Sequence, residues 1–302
     1  MGVPHRRDPG ESRAVIVGMP FDCGTHPTRV GARLGPASIR EQSQLLRPFD
    51  GASGVNPLEE LGVVDLGDAA VTSGDVETSY PIMEAAMDAA LANGAIPITF
   101  GGDGAVALPQ MRALAKRYPD LVAVHVDAHT DAYPIDGYNN ATPFARARQE
   151  GLVDAGRSFH IGTRRSHMVK GVYEYTRQLG YTIIPMDALI EQGIEQVFAQ
   201  VRQTIGSRPV YLCFDMDFFD PSVAPGVCTP AWGGASAREG LAVLRACTGL
   251  EIVGIDINTI SPPHDAGGMS AFLAATIAFE LLAMLATGAL SKDLLTTRRA
   301  SA

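Results

Sequence analysis

Short apolar runs alternate with segments of helical period along nearly the whole chain, and few folds accommodate that alternation. The runs Ala14–Gly18, Gly62–Leu66, Ala95–Phe100, Leu121–Val126, Arg157–Gly162, Tyr181–Ile184, Pro209–Phe214 and Glu251–Ile255 read as strands. Between them, Asp75–Asn93 repeats apolar residues at i, i+3 and i+4 and stops at Asn93-Gly94. Gly35-Pro36 opens another helix, because proline suits a first turn. Ala105–Arg117, the face formed by Ile194, Val197, Val201 and Ile205, and Ser270–Ala286 are also helical. Ser236 and Glu239 form a capping box for a helix through Cys247. The alternation predicts an α/β fold of three layers, α/β/α, around a mainly parallel sheet. No repeat, low-complexity tract or linker divides the 302 residues, so 1–302 reads as a single domain with 1–12 as a flexible N-terminal tail.

Composition narrows the function. Asp and Glu number 33 against 24 Lys and Arg, a net charge of −9 without a basic stripe, which argues against nucleic acid. Cys23, Cys213, Cys228 and Cys247 are scattered without a C-x-x-C pair, so neither a zinc ribbon nor a disulfide framework is expected. Reduced thiols and a polar start lacking an apolar signal core point to the cytoplasm. Ala271–Leu290 comes nearest to a membrane span, but Glu280 and Gly288 interrupt it, and a buried or interface helix is expected rather than a membrane partner.

The strand Leu121–Val126 runs straight into Asp127, His129 and Asp131, separated by Ala128 and Thr130. In extended backbone such alternate residues share a face. Carboxylates are rarely buried unless paired or bound to a cation. Open parallel sheets hold ligands beyond the carboxyl ends of their strands. Two further runs end there, Phe214-Asp215-Met216-Asp217 and Phe100-Gly101-Gly102-Asp103-Gly104. The carboxylates of Asp127, Asp131, Asp215 and Asp217 with the His129 imidazole suit Mn, Ni, Fe or Zn rather than a thiolate metal. Without a cation they would repel. His125 and His160 lie inside strands and read as core histidines. His26 and His264 fall in loops near the sheet end, Trp232 follows an Ala-Pro-Gly loop and lines either a pocket or an interface, and Phe218-Phe219 reads as core. Cys213 and Cys228 flank the second acidic run as inert packing.

With these motifs in hand, the chain resembles the ureohydrolases, arginase, agmatinase and their relatives. The likeness is carried by G-G-D at 101–103, V-D-A-H-T-D at 126–131 and F-D-M-D-F-F-D-P…A-P-G at 214–226, with softer matches at 29–40 and 253–265. It implies a binuclear metal site and hydrolysis of a small guanidino substrate to urea and an amine. By the same likeness, one ion would take His129, Asp127, Asp215 and Asp217, and its neighbour Asp131 with the shared Asp127 and Asp215. The family carries His where Gly104 stands, so one ligand is lost and at most one well-held ion, Mn or Ni, is expected, with a metal-free state left open. The family's proton-shuttle His falls near Asn140, and its guanidinium-binding Glu at Thr259, so these two are the candidate substrate-binding residues. Three changes aimed at one site imply a degenerate member resembling the smaller, non-catalytic subunit of two-subunit guanidine hydrolases such as metformin hydrolase. Its partner would be an active paralogue in a hetero-oligomer, or further copies in a homo-oligomer. The alternatives are an active hydrolase with a rearranged site and a small-molecule binding protein.

Overall fold

A computed structural model describes residues 1–290, so the end of the expected 1–302 domain lies outside the described residues. Strands β1 (Ala14–Gly18), β2 (Val64–Asp68), β3 (Ile96–Phe100), β4 (Val122–Val126), β5 (Phe159–Thr163), β6 (Thr182–Pro185), β7 (Pro209–Asp215) and β8 (Glu251–Asn258) form one sheet in the order β2-β1-β3-β8-β7-β4-β5-β6. Every pairing between neighbours is parallel, as the alternation required. The helices are α1 (Gly35–Gln42), α2 (Pro57–Glu60), α3 (Val76–Ala90), α4 (Ala107–Ala115), α5 (Pro143–Gln149), α6 (Val172–Gln178), α7 (Met186–Gln192), α8 (Ile194–Ile205), α9 (Ala237–Ala246) and α10 (Met269–Ala286).

The two faces of the sheet bury separate cores. Val122, Val124 and Val126 of β4 pack with Ile39 of α1, Phe198 of α8, Val243 of α9 and Leu281 of α10. Leu121 and Ala123 point the other way, into a core with Met83 of α3, Leu108 of α4 and Phe144 of α5. That is the three-layer arrangement, with strand parity deciding which core each side chain joins. Helix α10 is a core helix: Ala274, Ile277, Leu281 and Leu285 are fully buried.

Two expectations change. Residues 1–12 are not a loose tail: Asp65 N–H donates to Pro4 C=O and Arg6 N–H to Asp65 C=O, so the segment adds to the sheet beside β2. An edge strand presents unpaired backbone groups, and this segment satisfies those of Asp65. Strand β8 also continues past Ile255 to Asn258. Its polar Asp256 and Asn258 hide that extension, yet both are fully buried and hydrogen-bonded to each other, 2.9 Å apart. The extra turn of strand delivers Thr259 to the site.

Candidate metal centre

The middle of the sheet, β3-β8-β7-β4, brings the acidic runs to one rim. The loop after β4 carries Asp127, His129 and Asp131, and the turn after β7 carries Asp217 beside the strand-end Asp215. Close packing needs glycine here: a Cβ on Gly102 would fall 1.7 Å from Phe21 C=O. Asp103 does not join the cluster. It accepts from Cys23 N–H at 2.7 Å and from Ala105 N–H at 3.2 Å, capping the turn that follows and pinning the β1 loop.

The expected ligands converge, in two sets that share Asp127. One atom each of Asp127, His129 and Asp217 lie within 4.8 Å of one another, and the same holds for His125, Asp127, Asp131 and Asp215. Asp127 faces the two imidazoles with different oxygens: Oδ1 is 3.2 Å from His129 Nδ1, and Oδ2 is 3.1 Å from His125 Nε2. Asp217 Oδ2 is 3.5 Å from His129 Nδ1, and Asp215 Oδ1 is 3.4 Å from His125 Nε2. Asp215, expected to be shared by both ions, groups with His125, Asp127 and Asp131. His125, read from sequence as a core histidine, stands among the carboxylates. His125 and Asp127 have the same strand parity, which was the available signal.

A bound cation would relieve the electrostatics of this rim. Burial pushes the Asp217 carboxyl up to about 8, with Asp127 adding repulsion, and pushes Asp215 up to about 6 for the same reasons. Burial together with Asp127 and Asp215 holds Asp131 well above the usual carboxyl range. Burial opposes ionisation of Asp127 too, but His125 and His129 outweigh it and hold that carboxyl well below its usual range. Burial likewise opposes a charge on His125, and the Asp127 and Asp215 carboxylates reverse it, to about 10. His125 Nε2 and Asp217 Oδ1 are buried without a hydrogen-bond partner. Orphaned donor atoms turned toward a carboxylate cluster fit a bound divalent ion.

Gly104, Asn140 and Thr259 line the same cleft as these carboxylates. Gly104 lies beside Asp131, where a Cβ would come 2.6 Å from Oδ2. The Asn140 amide oxygen accepts from Thr25 Oγ1 at 2.8 Å. Thr259 holds φ at +69° and Asp131 at +45°, left-handed values that non-glycine residues rarely adopt and that concentrate at functional sites. The Thr259 hydroxyl accepts from Met216 N–H at 2.9 Å and donates to Asn258 C=O at 2.6 Å. Phe218 and Phe219 pack in the core as expected, and Cys213 and Cys228 are buried. Trp232 is 66% exposed and its carbonyl takes a hydrogen bond from Arg165 Nε. His160 is fully buried in β5 with its Nδ1 2.8 Å from His125 Nδ1.

Above the carboxylates opens a cavity of about 510 Å³. His26, Asn140 and Thr259 line it, while His264 does not. Its wall includes Tyr133, Ile135 and Met168, which sequence reasoning passed over because single apolar residues in loops carry no pattern. No Lys or Arg lines it among the described residues.

Comparison with known proteins agrees with this geometry. The family model described as the arginase family matches residues 12–284. A guanidinobutyrase of Pseudomonas aeruginosa is 35% identical over 291 residues, covering 94% of this chain and 91% of that protein. A guanidinopropionase of the same organism is 38% identical over 293 residues, covering 96% and 92%. The solved structure of proclavaminate amidino hydrolase from Streptomyces clavuligerus superposes with a TM-score of 0.89 at 34% identity, covering 94% of this chain and 95% of that one.

Proposed function

The chain belongs to the arginase family, and from that membership we propose that it is the supporting subunit of a metal-dependent hydrolase that splits a small guanidino compound into urea and an amine. The observation that carries this reading is the fate of Thr259. Its proton and one lone pair are committed to backbone groups, and a hydroxyl has no charge to offer a guanidinium. Asn140 lines the same cavity with an amide tied to Thr25, and an amide cannot take a proton at neutral pH. The cleft keeps the groups that hold cations, while Asn140 and Thr259 offer it neither a base nor a charge.

Divalent ions such as manganese or nickel, held by Asp127, His129, Asp131, Asp215 and Asp217, would supply Lewis acidity at neutral pH. The chain's own residues then set what enters. A guanidino acid would bring a carboxylate into a cavity lined by acids and, among the described residues, by no Lys or Arg to pair it. Tyr133, Ile135 and Met168 instead favour an N-substituted guanidine with an uncharged tail, of which metformin is an example. The partner is an active chain of the same family in a hetero-oligomer, in the cytoplasm, where the four cysteines stay free.

A second reading, that the chain is itself an active hydrolase, draws support from one observation: both ligand sets are assembled around Asp127. Co-expression with arginase-family chains of the same genome separates the two. Native mass spectrometry and urea release are measured for each oligomer on a panel of N-substituted guanidines and guanidino acids. The subunit reading expects urea from the mixed oligomer only. Equal urea release by an oligomer of this chain alone would overturn it.

A further inference from the structure

We propose that His125 is a metal ligand of this chain, standing in for the imidazole that Gly104 cannot supply, so that His125, Asp127, Asp131 and Asp215 together hold a first-row divalent ion. The sequence comparison with the family leaves that ion three carboxylates and a glycine. The structure adds a nitrogen from within strand β4.

The case rests on where His125 Nε2 points and what holds the ring. Nε2 is fully buried, lacks a hydrogen-bond partner, and lies 3.1 Å from Asp127 Oδ2 and 3.4 Å from Asp215 Oδ1. The ligand atoms of the four residues lie within 4.8 Å of one another. Carboxylates and imidazoles bind an ion such as zinc at about 2.1 Å, so atoms on opposite sides of one ion sit about 4.2 Å apart. Small side-chain movements close that gap.

The other ring nitrogen fixes the tautomer. His125 Nδ1 and His160 Nδ1 are 2.8 Å apart, so one of them carries the shared hydrogen. When His125 carries it, Nε2 presents a bare lone pair to the carboxylates. His160 then does for His125 what a carboxylate or carbonyl commonly does for a metal-bound imidazole. Phe144 packs against the His125 ring with centroids 4.2 Å apart, and Tyr181 backs His160 at 4.7 Å, so neither ring is free to turn away. Three oxygens and one imidazole nitrogen suit manganese and its neighbours in the first row.

This inference concerns ion retention and holds whether or not the lone chain turns over substrate, so it fails or stands apart from the subunit reading. The test uses the purified full-length chain with Mn²⁺ in equilibrium dialysis. Wild type should retain a second ion beyond the one the His129 set holds. His125→Phe should lose that second ion, its affinity falling by at least about 100-fold, and His160→Phe should weaken it by about 10–100-fold. His129→Ala should spare it. Because a core substitution can fail to fold, the wild type is also loaded with cadmium and its ¹⁵N-labelled histidines are observed by NMR. Metal–nitrogen coupling to both His125 and His129 is the expected result. Coupling to His129 alone, or a His125→Phe protein that keeps both ions at unchanged affinity, overturns the proposal.

Discussion

Gly104 and Asp131 compete for one volume: a Cβ on Gly104 would stand 2.6 Å from Asp131 Oδ2 and 3.1 Å from the Asn140 carbonyl oxygen. The glycine is thus more than a missing ligand, because the acid has taken the space a side chain would use. Gly104→Ala should displace the Asp131 carboxylate and destabilise the protein by about 1–3 kcal/mol, the usual cost of overpacking. Mn²⁺ affinity at the ion Asp131 serves should drop by about 10-fold or more. Thermal denaturation and Mn²⁺ dialysis check both. An alanine variant matching wild type in each would show that Asp131 moves freely.

Thr259 should behave as a structural residue. Thr259→Val leaves the Met216 N–H buried without its acceptor, which should cost about 1–3 kcal/mol. Thr259→Ser keeps the hydroxyl and should stay within about 0.5 kcal/mol of wild type. Neither should alter affinity for an N-substituted guanidine, measured by calorimetry on the metal-loaded chain. A clear loss of affinity in the valine variant alone would make the hydroxyl a substrate contact.

The metal-free protein should lose stability as pH rises. Burial raises the carboxyls of Asp215 to about 6, Asp103 to about 7 and Asp217 to about 8 in the folded chain. A carboxyl raised on folding contributes stability that is complete below its unfolded value near 3.8 and is lost as pH climbs through the folded value. His160, lowered by burial and by His125, and His26 and His167, lowered first by burial, work the other way below their ordinary value, against the raised carboxyls of Asp103, Asp131, Asp215, Asp217 and Asp256. The melting temperature in chelator should therefore be higher at about pH 5 than at about pH 8. Saturating Mn²⁺ should flatten or reverse the trend, since it stabilises the ionised carboxylates. A chelated protein that melts higher at the alkaline end would contradict the charge accounting.

Asp217→Asn separates stability from binding. The substitution removes a buried acid whose ionisation is resisted, so in chelator near pH 8 the variant should melt higher than wild type. In excess Mn²⁺ the order should invert, because the Asp127–His129–Asp217 set has lost a ligand. The same order with and without metal would mean that Asp217 is not a ligand.

The parts of this site that were legible in the sequence are those in which local pattern and chemistry coincide. Asp127, His129 and Asp131 follow an apolar strand directly, and Asp215 and Asp217 repeat the device, so the pattern alone places both runs at the sheet rim. His125 was passed over because a histidine inside an apolar run has an ordinary core explanation, and only the third dimension brings Asp215 and His160 to its two nitrogens. The end of β8 was cut short because Asp256 reads as polar, whereas its burial depends on Thr99 and Tyr211 from strands distant in sequence. Helices α5 and α6, seven residues each, are too short for periodicity to register. The meaning of Gly104, Asn140 and Thr259 was visible only through the family likeness, because an absent side chain leaves no pattern of its own.

The most direct test of the account is urea release by this chain alone, loaded with Mn²⁺ and with its metal content verified. The substrates are N-substituted guanidines at saturating concentration. Turnover should lie at least about 100-fold below an ordinary enzyme's roughly 10 per second and be restored when an active family partner joins the oligomer. Turnover at the ordinary rate by the lone, metal-verified chain would contradict it.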